Sequence, residues 1–382
     1  MVKKIIFQLH LWLGLLSGII VFIVSVTGCL YVFHEEITTW LRKDAIYADK
    51  EAGTQRLPQE KLLQTAQQAF PPGEVISWFN IYNNPEKNQV FYSYKNNPEG
   101  LTYFTNIDHY NAVFINPYSG KTEGVYNEKT DFFNVVKFLH WSLLFKTSIG
   151  QPIVGWATLI FVVLLITGLV LWWPKSFKSA RNLFRIKWKK TTGIYKKFYD
   201  LHNVLGLWGL AGLLIISLTG MVWAFGWFQG LVYVAASGTT TPPERLRAES
   251  NPQALQIEQP LNEAFHESLK LHDDAAAFRF TLPQDSAGII NVYVQQKEGL
   301  YYQSHQLQFD RYTGELLAKR NHEEKNAGEK LITANYDIHT GAILGMPGKI
   351  LAFILSLIAA SLPVTGFMMW WKRTKKRKKS LF

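Results

Sequence analysis

The chain has 382 residues, with 40 Lys and Arg against 29 Asp and Glu, and 48% of it is hydrophobic. A formal charge of +11 would suit a nucleic-acid ligand, but 18 of the basic residues lie in three short acid-free segments beside apolar runs, and the remainder is acidic, which removes that reading. The single cysteine, Cys29, excludes an intramolecular disulfide, a covalent C-x-x-C-H haem site and a cysteine-held iron–sulfur cluster.

Residues 5–33 form the first of four long apolar runs; the others are 152–173, 204–227 and 347–371. Each holds the roughly 20 apolar residues that cross a hydrocarbon core of about 30 Å, which predicts four transmembrane helices. Val26-Thr-Gly-Cys29 imitates a lipoprotein cleavage site behind Lys3-Lys4, yet the run is too long for a signal sequence. His34 closes the run in Phe33-His34-Glu35-Glu36.

A polar block of about 100 residues follows, long enough for a small core. Its pattern predicts an amphipathic helix over 57–70 and strands over 75–82, 90–94 and 112–116, closing in Asn116-Pro-Tyr-Ser-Gly120. A second polar block repeats the order, with a helix over 261–271 and strands over 276–282, 289–295 and 306–310, closing in Asp310-Arg-Tyr-Thr-Gly314. Alternating aromatic and β-branched residues before an Asn/Asp-x-x-Ser/Thr-Gly turn are hairpin chemistry. Each block is therefore expected to be one helix against a small antiparallel sheet. Neither contains a nucleophile elbow, a phosphate loop or a metalloprotease helix motif.

The resulting order is a transmembrane helix (5–34), a module (35–139), an interfacial segment with the second helix (140–173), a basic loop (174–200), the third helix (201–227), a second module (228–338), an interfacial segment with the fourth helix (339–371) and a basic tail (372–382). Lys3-Lys4, nine basic residues within 175–197 and seven within 372–379 put the termini and the central loop in the cytoplasm by the positive-inside rule. Both modules then lie outside, in the periplasm if the cell has an outer membrane. The basic tail reads first as an anchor to anionic lipid.

Each apolar run contains one Thr-Gly pair: Thr27-Gly28, Thr167-Gly168, Thr219-Gly220 and Thr365-Gly366. His10 and His202 each precede their threonine by 17 residues, and His140 and His339 precede theirs by 27 and 26. Both of the latter runs close on a Trp pair, Trp172-Trp173 and Trp370-Trp371, where aromatic belts belong. The chain thus reads as a duplicated unit of helix, module and helix.

A histidine at membrane depth is usually tied to a functional partner, and neutral imidazole is the usual axial ligand of b-type haem. His10 with His202 would form one pair at the cytoplasmic face, and His140 with His339 a second at the outer face. For each ring the plain alternative is an interfacial or capping role, stronger for His140 and His339 at the wet boundary. His34 could replace either outer ligand, although an interfacial role is the reading we favour. The glycines suit close approach of a helix or a flat macrocycle, and each threonine hydroxyl can bond to the carbonyl four residues back. His266, His272 with Asp273-Asp274, His305 and His322 are too irregularly spaced for a metal-site motif.

In these motifs and their order the chain resembles the PepSY-associated transmembrane family, which includes iron-regulated membrane proteins of the PiuB type and the ferric-siderophore reductase FoxB. The resemblance rests on His10-Leu-Trp-Leu-Gly14 with Val26-Thr-Gly28, Leu139-His140-Trp-Ser, Leu201-His202-Asn-Val-Leu-Gly206 and His339-Thr-Gly-Ala-Ile-Leu-Gly345. The endings Gly168-Leu-Val-Leu-Trp-Trp-Pro174 and Gly366-Phe-Met-Met-Trp-Trp371 and the two modules match as well. It implies an α-helical membrane protein with a duplicated two-helix unit and two α+β PepSY-like extracytoplasmic modules. It further implies two b-type haems in a bacterial inner membrane, on His10 and His202 and on His140 and His339. The activity implied is reduction of ferric iron in a siderophore or other chelate, a ferric-chelate reductase.

No G-x-G-x-x-G or flavin module is present, so a cytoplasmic reductase or flavoprotein would supply the electrons, with 175–197 as one docking candidate against plain contact with membrane lipid. Tyr110, Phe114 and Tyr336 are candidates to line an outer substrate cleft. Two other classes compete: a membrane-anchored module that binds or regulates a periplasmic partner without chemistry, and a component of iron or siderophore transport. The spans lack the acidic residues and broken helices of midplane ion sites, which weighs against transport.

Overall fold

The apolar runs form four helices: the first span Val2–Tyr31, the second Thr147–Trp172, the third Ile194–Ala224 and the fourth Gly345–Lys379. The computed structural model describes residues 1–48, 55–174 and 184–379. Part of the basic segment 175–197 and the last residues of the basic tail, 380–382, lie outside the described residues. The described chain divides into two compact units: Met1–Val32, Val136–Gly230 and Ile338–Phe382 carry the spans, and Phe33–Val135 with Leu231–Asp337 form the other.

In the span unit, the first and third helices each pack against both the second and the fourth, so the four make a closed ring. Val21, Phe161, Leu165, Leu213, Leu355 and Leu362, drawn from all four spans, meet in its core. Large apolar side chains such as Leu9, Trp12, Leu16, Trp156, Ile215 and Ile354 stay exposed on its outside. Helices buried on one side and apolar on the other are what a lipid-facing bundle requires.

The second unit is built on β1 (Ile76–Tyr82), β2 (Gln89–Asn96), β3 (Ile107–Ile115), β4 (Thr122–Asn127), β5 (Ala277–Thr281), β6 (Ile290–Lys297), β7 (Leu300–Phe309) and β8 (Leu316–Arg320). The two sheets expected from the sequence are one antiparallel sheet of eight strands, ordered β4-β3-β2-β1-β5-β6-β7-β8. The halves join where Phe79 pairs with Phe280, their rings stacked at 5.1 Å. Helices Gln59–Ala69 and Pro260–Leu271 pack on one face, burying Leu62, Ala66, Phe91, Ala264, Phe278 and Leu307 in a single core.

The two helices also close each other's N-termini. Glu60 Oε1 accepts the backbone N–H groups of Leu261 at 2.7 Å and Asn262 at 3.2 Å, while Asn262 Oδ1 accepts that of Gln59 at 3.4 Å. N-terminal helix amides lack partners within their own helix, so each is satisfied by the other half. The hairpin turns follow the expected chemistry: Asn116 Oδ1 accepts from Tyr118 and Ser119, Asp310 Oδ1 from Tyr312 and Thr313, and Gly120 and Gly314 adopt φ of 74° and 68°.

Candidate functional site

All four histidines that follow the Thr-Gly spacing belong to the span unit, and the structure brings them together in two pairs. The ring centroids of His10 and His202 are 6.2 Å apart with an interplanar angle of 89°; those of His140 and His339 are 6.1 Å apart at 73°. His10 and His202 sit in the early turns of the first and third spans, whereas His140 and His339 lie in helices Phe132–Ser142 and Ala327–Thr340.

Each imidazole is held by a span threonine from a different helix. His10 Nδ1 lies 2.9 Å from Thr167 Oγ1, His202 Nδ1 2.9 Å from Thr365 Oγ1, His140 Nδ1 3.2 Å from Thr27 Oγ1 and His339 Nδ1 2.9 Å from Thr219 Oγ1. Every one of these hydroxyls donates to its own helix, to Val163, Ser361, Ile23 and Ile215 respectively, each at 2.8 Å. A hydroxyl has one proton to give, so with it committed to the carbonyl the oxygen accepts from Nδ1–H. At His140 and His339 the backbone carbonyls of Val24 (2.8 Å) and Ile216 (3.0 Å) also face Nδ1, and a carbonyl can only accept. The network assigns the proton to Nδ1 and leaves Nε2 with its lone pair, the form in which imidazole binds metal.

The glycine after each threonine makes room for the ring. A Cβ on Gly28 would stand 3.4 Å from His140 Cε1, and one on Gly168, Gly366 or Gly220 would stand 3.4–3.5 Å from the Cε1 of His10, His202 or His339. The threonine–carbonyl bonds match the sequence reading, but the histidine–threonine bonds between helices and the glycine–histidine contacts were not foreseen. The signal for them was the fixed histidine-to-threonine interval.

Close backbone turns follow the second pair of rings. Gly150 packs so tightly on Ser142 that an added Cβ would lie 1.8 Å from its carbonyl oxygen, and Gly348 meets Gly341 with the equivalent distance 2.0 Å. The first turn holds Leu143 and Leu144 at φ of 54° and 61°; the second places Gly341 and Gly345 at 77° and 64°. Trp223 adds an edge-on contact to His339 at 5.3 Å. Near His202 in sequence, the buried Asp200 accepts from Trp188 Nε1 at 3.2 Å and pairs with Lys196, which ties part of the basic segment to the third span.

An iron bonded at about 2 Å to one nitrogen of each of two imidazoles, with each nitrogen about 1 Å from its ring centre, holds the centroids about 6 Å apart. Both pairs have that spacing and a bare Nε2 on each ring, so the two residues of each pair could together hold one haem iron. Among the described residues, no group of three or more His, Cys, Asp or Glu side chains could hold a metal ion by itself.

His34 belongs to the other unit, where its ring lies 6.3 Å from Phe133. The candidate cleft residues do not share one environment. Phe114 is buried with Ala45, Val90 and Ala112, Tyr110 packs on Trp78 and Tyr94, and Tyr336 packs on Tyr301. Of the dispersed histidines, the rings of His272 and His305 lie 4.1 Å apart at a 35° tilt, the His322 backbone N–H donates to His305 Nδ1, and His266 stays beside Phe265.

The family model for the PepSY-associated TM region matches residues 7–373, a range that includes both histidine pairs and the whole sheet. The chain belongs to the PepSY-associated TM family. No curated protein matches it closely enough to be named as a relative. Family membership and four apolar helices together make this a multi-pass membrane protein.

Proposed function

We propose that this PepSY-associated TM protein is a di-haem b ferric-chelate reductase of a bacterial inner membrane, with both termini in the cytoplasm and the eight-stranded sheet in the periplasm. Electrons would enter from a cytoplasmic flavoprotein or other reductase and leave to ferric iron held by a siderophore or similar chelate. The chain would have arisen by duplication of one unit, each copy contributing one histidine to each pair. The observation that carries the reading is the fourfold arrangement of a threonine-held Nδ1–H that leaves Nε2 bare, in two pairs of rings about 6 Å apart.

His10 and His202 would hold one haem and His140 and His339 the other, each supplying a carrier for one electron at a time. One electron lost by the donor reduces one ferric ion to ferrous. The chain's own part is structural and electrostatic. The threonines fix the imidazole tautomer, the glycines admit the rings, and the apolar core around Phe161 and Leu213 keeps water and ions from crossing between the two ends.

An absorption spectrum of the detergent-purified protein tests this. About two haems per chain are expected, one of them lost in a His10→Ala, His202→Ala double variant and the other in His140→Ala, His339→Ala. Absence of a Soret band in the native protein would overturn the assignment. On mixing with a ferric chelate, the pre-reduced protein should reoxidise faster than a chelate-free control; equal rates would remove the reductase activity.

A further inference from the structure

The sheet has a second face, opposite the two core helices, whose chemistry the histidine pairs do not use. Its register lines up Val90, Asn80, Arg279, Tyr293 and Gln306 across β2, β1, β5, β6 and β7, with Tyr92 and Trp78 in the neighbouring row. One flank is covered by helix Lys43–Ile46, which buries Val90 and Phe114, and the other by Tyr336 on Tyr301. Between them Arg279 is exposed at the seam where β1 meets β5.

Arg279 carries an exposed charge that forms no ion pair among the described residues. Its Nε donates to Asn80 Oδ1 at 3.1 Å and its guanidinium also hydrogen-bonds to the Tyr301 hydroxyl. The nearby Glu298 is engaged by Lys87. The Tyr82, Tyr92 and Tyr293 hydroxyls all feel its charge, together with the charges of Glu298, Glu128 and Asp337 respectively. Burial pushes the Tyr82 and Tyr92 hydroxyls up and Tyr293 up to about 12, so at neutral pH all three are protonated, the Tyr293 proton being given to the Tyr301 carbonyl at 3.1 Å. Beside them Trp78 stacks on Tyr92 at 5.2 Å and 18°, a half-buried aromatic platform. An exposed guanidinium without an ion pair, beside hydroxyl groups, favours an anion, and aromatic faces favour planar rings.

We propose that the patch of Trp78, Asn80, Tyr82, Tyr92, Arg279 and Tyr293 binds a small metal chelate that is negatively charged and carries planar aromatic arms. Under the reductase reading, on which the identity of the metal rests, this makes anionic ferric catecholates the favoured substrates over neutral hydroxamate chelates. Arg279 supplies the counter-charge, Tyr82 and Tyr92 donate to ligand oxygens, Tyr293 lines the site, and Trp78 stacks on an aryl ring.

The test uses gallium(III), which has the charge of ferric iron but accepts no electron here, so binding is read independently of reduction. The detergent-solubilised full chain is titrated calorimetrically with the anionic gallium tris-catecholate and with a neutral gallium trihydroxamate. The native protein should bind the catecholate more tightly. Arg279→Gln should weaken that binding at least about tenfold, Arg279→Lys should recover most of it, Trp78→Leu should also weaken it, and hydroxamate binding should stay unchanged in Arg279→Gln. Catecholate binding equal in Arg279→Gln and native protein, or equal affinity for the two chelates, would overturn the proposal. Tight gallium binding without reoxidation of the reduced protein by the ferric complex would sink the reductase reading and leave the patch standing.

Discussion

Thr219 Oγ1 lies 2.9 Å from His339 Nδ1 while giving its own proton to the Ile215 carbonyl at 2.8 Å. The threonine is thereby an acceptor to the histidine and has no second proton with which to protonate the ring. Replacing Thr219 by Val removes that acceptor at nearly constant volume and leaves Ile216 O as the remaining partner. Loss of an outer-shell partner typically costs 10–100-fold in metal affinity. Haem affinity at the His140–His339 pair should fall by about that range in Thr219→Val and recover in Thr219→Ser, as measured by haem transfer to an apo-globin. Transfer at the native rate would show that the hydroxyl does not matter.

Gly150 and Gly28 separate two kinds of tightness. An alanine at 150 would drive its Cβ to 1.8 Å from the Ser142 carbonyl oxygen, a clash only backbone movement can relieve. At Gly28 the nearest atom would be 3.4 Å away. Gly150→Ala should therefore displace His140 and reduce the haem content towards one per chain, while Gly28→Ala keeps both and Gly28→Val does not. Pyridine haemochrome stoichiometry checks the order, which reverses if the ring, not the turn, is the tighter constraint.

Glu60 caps a helix from the other half of the sheet. Capping substitutions cost about 0.5–2 kcal/mol, and here the loss is localised. Glu60→Ala should accelerate amide hydrogen exchange at the start of helix Pro260–Leu271, with Glu60→Gln in between. Unchanged protection of that segment would mean that water replaces the carboxylate without cost.

The adjacent rings of His272 and His305 give the sheet unit an acid-sensitive point. Burial lowers the pKa of both, and for His272 the neighbouring His305 lowers it further. Below about 6.5, the ordinary histidine value, the unfolded chain binds protons that the folded unit resists, so stability is fully present above that value and is lost as pH falls through it towards the folded pKa values. Protonating His305 at Nδ1 also removes the acceptor of the His322 N–H. The thermal midpoint should drop between pH 7.5 and 5.5, and less so in His272→Gln. A flat profile in the native chain would contradict this.

The spans were legible as long apolar runs, and the two core helices and six of the eight strands because each repeats its apolar residues at the helical or strand period. β4 and β8 were not. Thr122–Asn127 and Leu316–Arg320 are edge strands with no fully buried residue, so no alternation marks them. The seam between β1 and β5 was hidden for a different reason. Phe79 and Phe280 each announce a buried strand, but backbone pairing leaves no trace in the identity of the pair. At the site, the intervals from histidine to threonine were visible and their meaning was not. Periodicity places Thr167 on a helix face, whereas its contact with His10 depends on which span lies next to which.

The seam between β1 and β5 imposes an order on biogenesis. β1 is synthesised before the second span and β5 after the third, so the strand carrying Phe79 emerges some 200 residues ahead of its partner, with two membrane crossings between them. Until the third span is inserted, β1 is an open edge, and the core residues around Leu62 and Phe91 lack half of their cover. The first half must wait, exposed, for the ribosome to deliver the second, and insertion of the hairpin formed by the middle spans becomes the step that commits the sheet to closing.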